Sequence, residues 1–315
     1  MAVDLLDAPL RVSWDLLSAT DACLTSTQLL KIATDLTESG VFFVTLDNRP
    51  LNHPAILQVV QVLLDGGCQV SLVTDGDTQQ FSRLDELPRE VNLFLDGAGS
   101  VAGNRLDRLK LSAQIQQLRS LRFAPSLLWL PRSGQLPLIL DFIEFCEQNG
   151  VTRFKLPNQK IDVSSEAFAG RFLPDCGDLK QFSALLTQSG CPQKNALQLE
   201  VHDLFLWELL QPLCGGERIE YGGCQAANSL GHINAQGQLL PCSSWPQPLG
   251  NMLSDNLLDL WQTRARLDVR QQIDFVPVGC DDCRDYSICF GGCRGLATFC
   301  RNDGLGRDLL CADRR

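Results

Sequence analysis

The chain has 315 residues, 44% of them hydrophobic, and a formal net charge of −10. That length allows one large domain or two with ample core, and the acidic balance excludes the broad basic face that a nucleic-acid partner requires. No apolar run approaches the roughly 18 residues that span a bilayer, and the start, MAVDLLDAPL, carries Asp4 and no basic stretch. Neither a membrane nor a secretory signal is therefore expected, and the predicted location is cytoplasmic.

The first two hundred residues alternate short apolar runs with amphipathic stretches. RVSWDLL (11–17) reads as a strand. Thr27 to Ser39 then carries Leu29, Leu30, Ile32, Ala33 and Leu36 at helical spacing, and Gly40 ends it. VFFVTLD (41–47) opens on four consecutive apolar residues and reads as a buried parallel strand. A helix over about 53–65 follows, closed by Gly66-Gly67, and then the strand QVSLVTDG (69–76). VNLFLDG (91–97), SLLWLP (126–131) and TRFKLPN (152–158) continue the series, with helices over about 105–120 and 135–149. Such alternation predicts an α/β fold of right-handed βαβ units with a parallel sheet, open or curved into a partial barrel. Ligands in such folds sit beyond the C-terminal ends of the strands.

From about residue 213 glycine and cysteine become frequent, and helical periodicity is confined to LLDLWQTRARL (257–267). GHINAQGQLLPC (231–242) predicts a β-hairpin turning over Asn234 to Gly237. The expected division is thus 1–213 and a loop-rich 214–315, which would need bound ligands to fold. Cys280, Cys283, Cys289 and Cys293 stand as C-x2-C-x5-C-x3-C, with Cys224 and Cys242 upstream and Cys311 downstream. Thiols this dense need a metal or bonds to each other. In a reducing compartment iron–sulfur ligation is favoured, with zinc and disulfides as alternatives.

Residues 214–315 resemble the SPASM domain, the auxiliary-cluster module of radical SAM enzymes that mature peptides and proteins. Its pattern is C-x(9–15)-G-x4-C, then C-x2-C-x5-C-x3-C, then a last cysteine. Cys224, Gly237, Cys242, the four-cysteine run and Cys311 match it, and Pro241-Cys242, Leu249-Gly250-Asn251 and Leu258 to Trp261 match its landmarks. The resemblance implies two [4Fe–4S] clusters. One would use Cys224, Cys242 and Cys293 with Cys214 as a fourth ligand, and the other Cys280, Cys283, Cys289 and Cys311, with Cys300 an alternative to Cys311.

The N-terminal part resembles a degenerate radical SAM partial (β/α) barrel. The family carries C-x3-C-x2-C after its first strand; here Cys23 follows Thr20 as the family's T-x-x-C would, but Thr27 and Leu30 occupy the next two positions. Where the family shows G-G-E-P, this chain has Asp47-Asn48-Arg49-Pro50, which sets a cation where the methionyl ammonium of S-adenosylmethionine would bind. Thr74-Asp75-Gly76 and Asp96-Gly97 echo the family's later loops. These departures argue against S-adenosylmethionine binding and leave no catalytic residue to assign. The resemblance, closest to the GeoRSP-type SPASM proteins, implies an iron–sulfur accessory protein that assists a partner radical SAM enzyme on its peptide or protein substrate. The partner would be served by electron transfer or by docking. The alternatives are an active maturase with an unconventional catalytic cluster and a zinc-stabilised interaction module. Cys68, Cys146, Cys176 and Cys191 read as packing residues, and Cys23 as packing or a vestigial ligand position. His53, His202 and His232 read as surface or hydrogen-bonded core residues. Arg284, Arg294, Arg301 and Arg307, among the cluster cysteines, read as a solvated face or as cations that offset thiolate charge.

Overall fold

The structure, a computed structural model, describes residues 5–18, 23–77, 83–124, 126–161, 172–190, 196–300 and 306–311; Asp4, Thr20, Cys191 and Arg301 lie outside them. In chain order its elements are β1 (Arg11–Asp15), α1 (Ser26–Glu38), β2 (Phe43–Asp47), α2 (Ile56–Asp65), β3 (Gln69–Thr74) and β4 (Asn92–Asp96). The short pair β5 (Val101–Ala102) and β6 (Arg105–Leu106) precedes α3 (Arg108–Ser120), β7 (Ser126–Leu128), α4 (Leu138–Gln148) and β8 (Arg153–Leu156). Then come α5 (Cys176–Ser189), β9 (Gln198–Val201), α6 (Leu204–Cys214), β10 (Leu230–Ile233), β11 (Gln238–Leu240) and β12 (Gly250–Asn251). The last helices are α7 (Leu257–Trp261), α8 (Arg264–Asp274), α9 (Tyr286–Cys289) and α10 (Arg294–Cys300). None of the described helices is long and apolar enough to cross a membrane.

Two compact units share these elements, each assembled from separate stretches of chain. The first takes residues 1–95, 120–123 and 225–274. Its strands run in the order β12-β11-β10-β1-β2-β3-β4. From β10 to β4 neighbours are parallel, whereas β11 and β12 are antiparallel additions at one edge. Buried Val12 and Trp14 on β1, Val44 and Leu46 on β2, and Val70 and Leu72 on β3 line one face of this mostly parallel sheet. The apolar run of residues 41–44 suggested burial on both faces, yet Phe43 is only half-buried. The Arg11 guanidinium covers its ring from 4.1 Å, so a cation takes the place of a second apolar layer.

Local chemistry explains the helix that follows β1. The Thr25 hydroxyl accepts the Gln28 backbone N–H, and the Gln28 side chain accepts the Thr25 N–H at 2.9 Å, a reciprocal cap that starts α1. Leu29, Ile32, Ala33 and Leu36 then share its buried face against α2. The tight connection from β10 to β11 rests on Asn234, whose side chain accepts the Gln236 and Gln238 N–H groups, and on Gly237 at φ +77°. The helical stretch over 257–267 is two helices, broken at Gln262-Thr263. The buried Arg266 turns back there, its Nη1 donating to Trp261 O at 2.9 Å and its Nε to Ala227 O at 2.9 Å.

The second unit takes residues 96–119, 124–224 and 275–315. Its parallel strands run β7-β8-β9. Trp129 stacks on Phe142 at 4.6 Å and Phe142 on Phe154 at 5.4 Å, forming its aromatic core. Gly97 is required beside that stack, since a Cβ there would lie 2.7 Å from the Phe142 ring. Phe142→Ala is expected to destabilise the protein by about 3–5 kcal/mol in a denaturant titration. Leu109→Ala, at a position 87% exposed, should stay within about 0.5 kcal/mol of wild type.

Candidate metal centre

The cavity and Cys214, Cys224, Cys280, Cys283, Cys289, Cys293, Cys300 and Cys311 belong to the second unit, whereas Cys242, Cys68, His53 and His232 belong to the first. Beyond the C-terminal ends of β8 and β9 the chain presents Pro157-Asn158-Gln159 and His202-Asp203, which help line a cavity of about 50 Å³. Leu296 of α10 and the segment Asp308–Leu310 close another side of it. The cysteine-rich segment is wound in short turns: Cys283 N–H donates to Cys280 O at 3.2 Å and Tyr286 N–H to Cys283 O at 3.2 Å. Cys289 ends α9, and Phe290, Gly291 and Gly292 all follow with positive φ. Asp308, 1% exposed, organises what comes next: one carboxylate oxygen accepts the Cys293 N–H and the other the Leu310 N–H at 2.8 Å. A Cβ on Gly292 would stand 2.5 Å from that carboxylate, so glycine is the residue that lets the turn close.

The thiols act on one another. The Cys280 thiol is pushed up to about 11, by burial first, then by the Cys311 and Cys289 thiols and, more weakly, Cys283; Arg307 pulls the other way. The Tyr221 hydroxyl is held well above its ordinary value by burial and then by Cys224 and Cys293, with Asp308 and Asp203 beyond. Cys280 thus has Cys283, Cys289 and Cys311 within electrostatic reach, and Tyr221 has Cys224 and Cys293. Cys293 Sγ is 4.0 Å from Asn158 Oδ1. Cys214 is the last residue of α6, and Cys242 belongs to the first unit, where it is buried and its carbonyl accepts the Trp245 N–H at 3.1 Å. Cys300 packs with Phe299 and Leu309 on Ile161, Leu173 and Leu296, and its thiol is raised to about 11 by burial alone. Among the described residues no group of three or more His, Cys, Asp or Glu side chains is drawn into a metal-holding arrangement. The donor set itself suits iron–sulfur or zinc: several thiols whose ionisation is mutually opposed, a cost that a bound cation would remove.

Asp203 and Asp308 carry no recognisable spacing signal and were absent from the sequence reading. Asp203 caps α6 by accepting the Leu206 N–H at 2.9 Å. Its carboxyl is held well above the usual carboxylate range by burial and then by Asp308. His202 is depressed to about 4 by the protein around it and by the Lys155 ammonium, although its ring is open to solvent on the cavity side. The remaining cysteines and histidines are accounted for locally. Cys68 donates its S–H to Val41 O at 3.1 Å, and Cys146 is buried in α4 with its thiol pushed up to about 12. Cys176 opens α5, and the buried His53 and His232 bond Leu24 O at 2.9 Å and Ser13 Oγ at 2.8 Å.

The first unit holds the second candidate region. Cys23 is exposed, and Thr27 and Leu30 lie on α1. Asn48 and Arg49, at φ +58° and +56°, occupy backbone that glycine prefers. Their side chains donate to Leu17 O and Ser18 O, which ties the loop after β2 to the loop after β1. Thr74 Oγ1 accepts the Gly76 N–H at 3.1 Å after β3; in the second unit, Asp96 accepts the Ala98 N–H at 2.9 Å.

No family model and no curated protein matches the chain. Solved structures do. Streptococcus suis SuiB bound to S-adenosylmethionine superimposes with a TM-score of 0.68 at 15% identity, covering 98% of this chain and 78% of that one. SuiB bound to precursor peptide SuiA gives 0.69 at 16%, covering 98% and 77%. The protein anSMEcpe with bound AdoMet and Cp18Cys peptide gives 0.65 at 14%, covering 97% and 94%. The chain therefore shares the mixed α/β fold of these proteins along nearly its whole length.

Two outcomes follow. In metal-free protein, Cys311→Ser should let Cys280 ionise below about 11, because a like charge is removed, while Cys300→Ser should not; pH-dependent alkylation read by mass spectrometry checks this. Asp203 binds its proton more tightly folded than unfolded, so its contribution to stability should fall as pH rises above the unfolded value of about 4, opposing the gain from His202, whose pKa is lowered on folding. Asp203→Asn keeps a competent cap and should abolish that fall in denaturant midpoints measured across pH.

Proposed function

We propose that the chain is an iron–sulfur accessory protein of peptide or protein modification, working beside a radical SAM enzyme. The observation that carries this reading is the Cys280 thiol with Cys283, Cys289 and Cys311 in reach of it. Those four would hold one [4Fe–4S] cluster, with Cys311 favoured over Cys300 because Cys311, and not Cys300, is among the thiols acting on Cys280. Cys224 and Cys293, both near Tyr221, would belong to a second cluster, with Cys214 as a further ligand and Cys242 added by the family pattern. Such clusters supply one-electron chemistry when bound. The chain's own residues seat the cysteines: Asp308 holds the Cys293 backbone, Gly292 admits Asp308, and Arg307 offsets thiolate charge.

The accessory reading draws on the first unit as well. One cysteine, Cys23, with Thr27 and Leu30 at the neighbouring positions, is too few thiolates for a cluster that cleaves S-adenosylmethionine. Asn48 and Arg49 spend their side chains on the chain's own carbonyls. The 1–213 region would then be a retained scaffold and 214–315 a SPASM-type module. A second reading, an active maturase, draws on the fold shared with SuiB and anSMEcpe, which were solved with S-adenosylmethionine bound.

Anaerobically reconstituted protein should contain about eight iron atoms per chain, for two four-iron clusters, and should not cleave S-adenosylmethionine. Cleavage would favour the maturase reading, and a colourless protein holding only zinc would sink the iron–sulfur one. Cys283→Ala should cost about half the iron and lower the melting temperature, whereas Cys68→Ala should keep all of it.

A further inference from the structure

Large apolar side chains left in solvent concentrate in one short stretch of the second unit. Phe275 is 63% exposed, Val276 48%, Val278 61% and Phe290 39%. The two stretches that carry them are adjacent, since a Cβ on Gly291 would lie 2.8 Å from Pro277, and Arg294 Nη2 donates to Phe275 O at 3.1 Å. Phe290 is the unusual member. It holds φ +49°, a backbone state costly for a bulky side chain, which persists only where its surroundings enforce it. Its ring rests against Gly223 and meets Tyr286 edge-on at 6.2 Å, and the rest faces water. Two buried cysteines neighbour these residues in the chain: Cys280 is two residues from Val278, and Cys289 adjoins Phe290. In the same stretch, Asp281, Asp282 and Asp285 face a single cation, Arg284, within residues 280–290.

We propose that Phe275, Val276, Val278 and Phe290 form the docking surface for a small redox protein whose own apolar edge is ringed by lysines or arginines. An apolar centre with a charged rim is the anatomy of a specific contact, and redox encounters use small ones. The carboxylates select a basic rim and speed its approach. The buried Cys280 and Cys289, both proposed cluster ligands next to the patch in the chain, make a redox protein the occupant that fits. This rests on the iron–sulfur reading above.

The test uses iron-loaded full-length protein and mitochondrial cytochrome c, whose haem edge is ringed by lysines, with lysozyme as a basic protein lacking such an edge. Binding of cytochrome c by titration calorimetry should weaken with added salt. It should weaken about tenfold in Phe290→Asn and in Val278→Ser, while lysozyme responds to neither. Phe290→Asn should melt at or above the wild-type temperature, because asparagine tolerates that backbone. Val278→Ser covers the case in which it does not fold. Equal binding of both basic proteins, no binding of cytochrome c, or no effect of either substitution overturns the proposal. So does a wild-type dimer in sedimentation that both substitutions abolish, which would make a second copy the occupant. Absence of iron and sulfide from the preparation would instead sink the reading on which the proposal rests.

Discussion

A buried thiol beside other thiols resists ionisation, because each neighbouring sulfur adds negative charge where water is scarce to dissipate it. Cys280 sits under that constraint, with Cys311, Cys289 and Cys283 all acting against its charge and only Arg307 acting for it. The backbone around it is built to tolerate such crowding. Successive turns at Cys280 and Cys283, positive φ from Phe290 to Gly292, and the buried Asp308 carboxylate shape the segment 280–311 with little regular structure. A cation bound among these thiols would convert mutual opposition into mutual attraction, and folding energy would come from binding.

Asp308 shows how far one side chain can carry this arrangement. It fixes the backbone at Cys293 and Leu310, its carbonyl accepts the Cys311 N–H at 3.2 Å, and it raises the Asp203 carboxyl at the start of α6. The cap of a helix after β9 and the turns of the cysteine segment are therefore coupled within the second unit. The polar end of the cavity beyond β8 and β9 is one consequence, since the same two carboxyls border it.

In the first unit the loops after β1 and β2 are satisfied internally. Asn48 and Arg49 adopt left-handed backbone, and their side chains complete the carbonyls of Leu17 and Ser18. Strain of that kind is held by its surroundings and marks a specified loop.

Strand and helix from β1 to β8 were legible because their periodicities are local: Val12 and Trp14 alternate on β1, and the Thr25–Gln28 cap announces α1. Strand β9 has four residues, α5 is sparsely apolar at Leu179, Phe182 and Leu186, and α6 is apolar on most of its surface, so none of the three shows a clear period in the sequence. The single helix expected over 257–267 missed the turn-back of Arg266, a long-range bond to Ala227. Cysteine spacing by itself marked a metal-grade thiol segment, because C-x2-C-x5-C-x3-C is a local pattern. Which partners each thiol meets is another matter. That β10 pairs with β1 across more than two hundred residues, that Asp308 holds Cys293, and that Cys300 turns into an apolar patch while Cys311 faces Cys280 were decided only by the tertiary structure. Contacts between residues far apart in sequence leave no period in it; they arise when packing closes the loops between them.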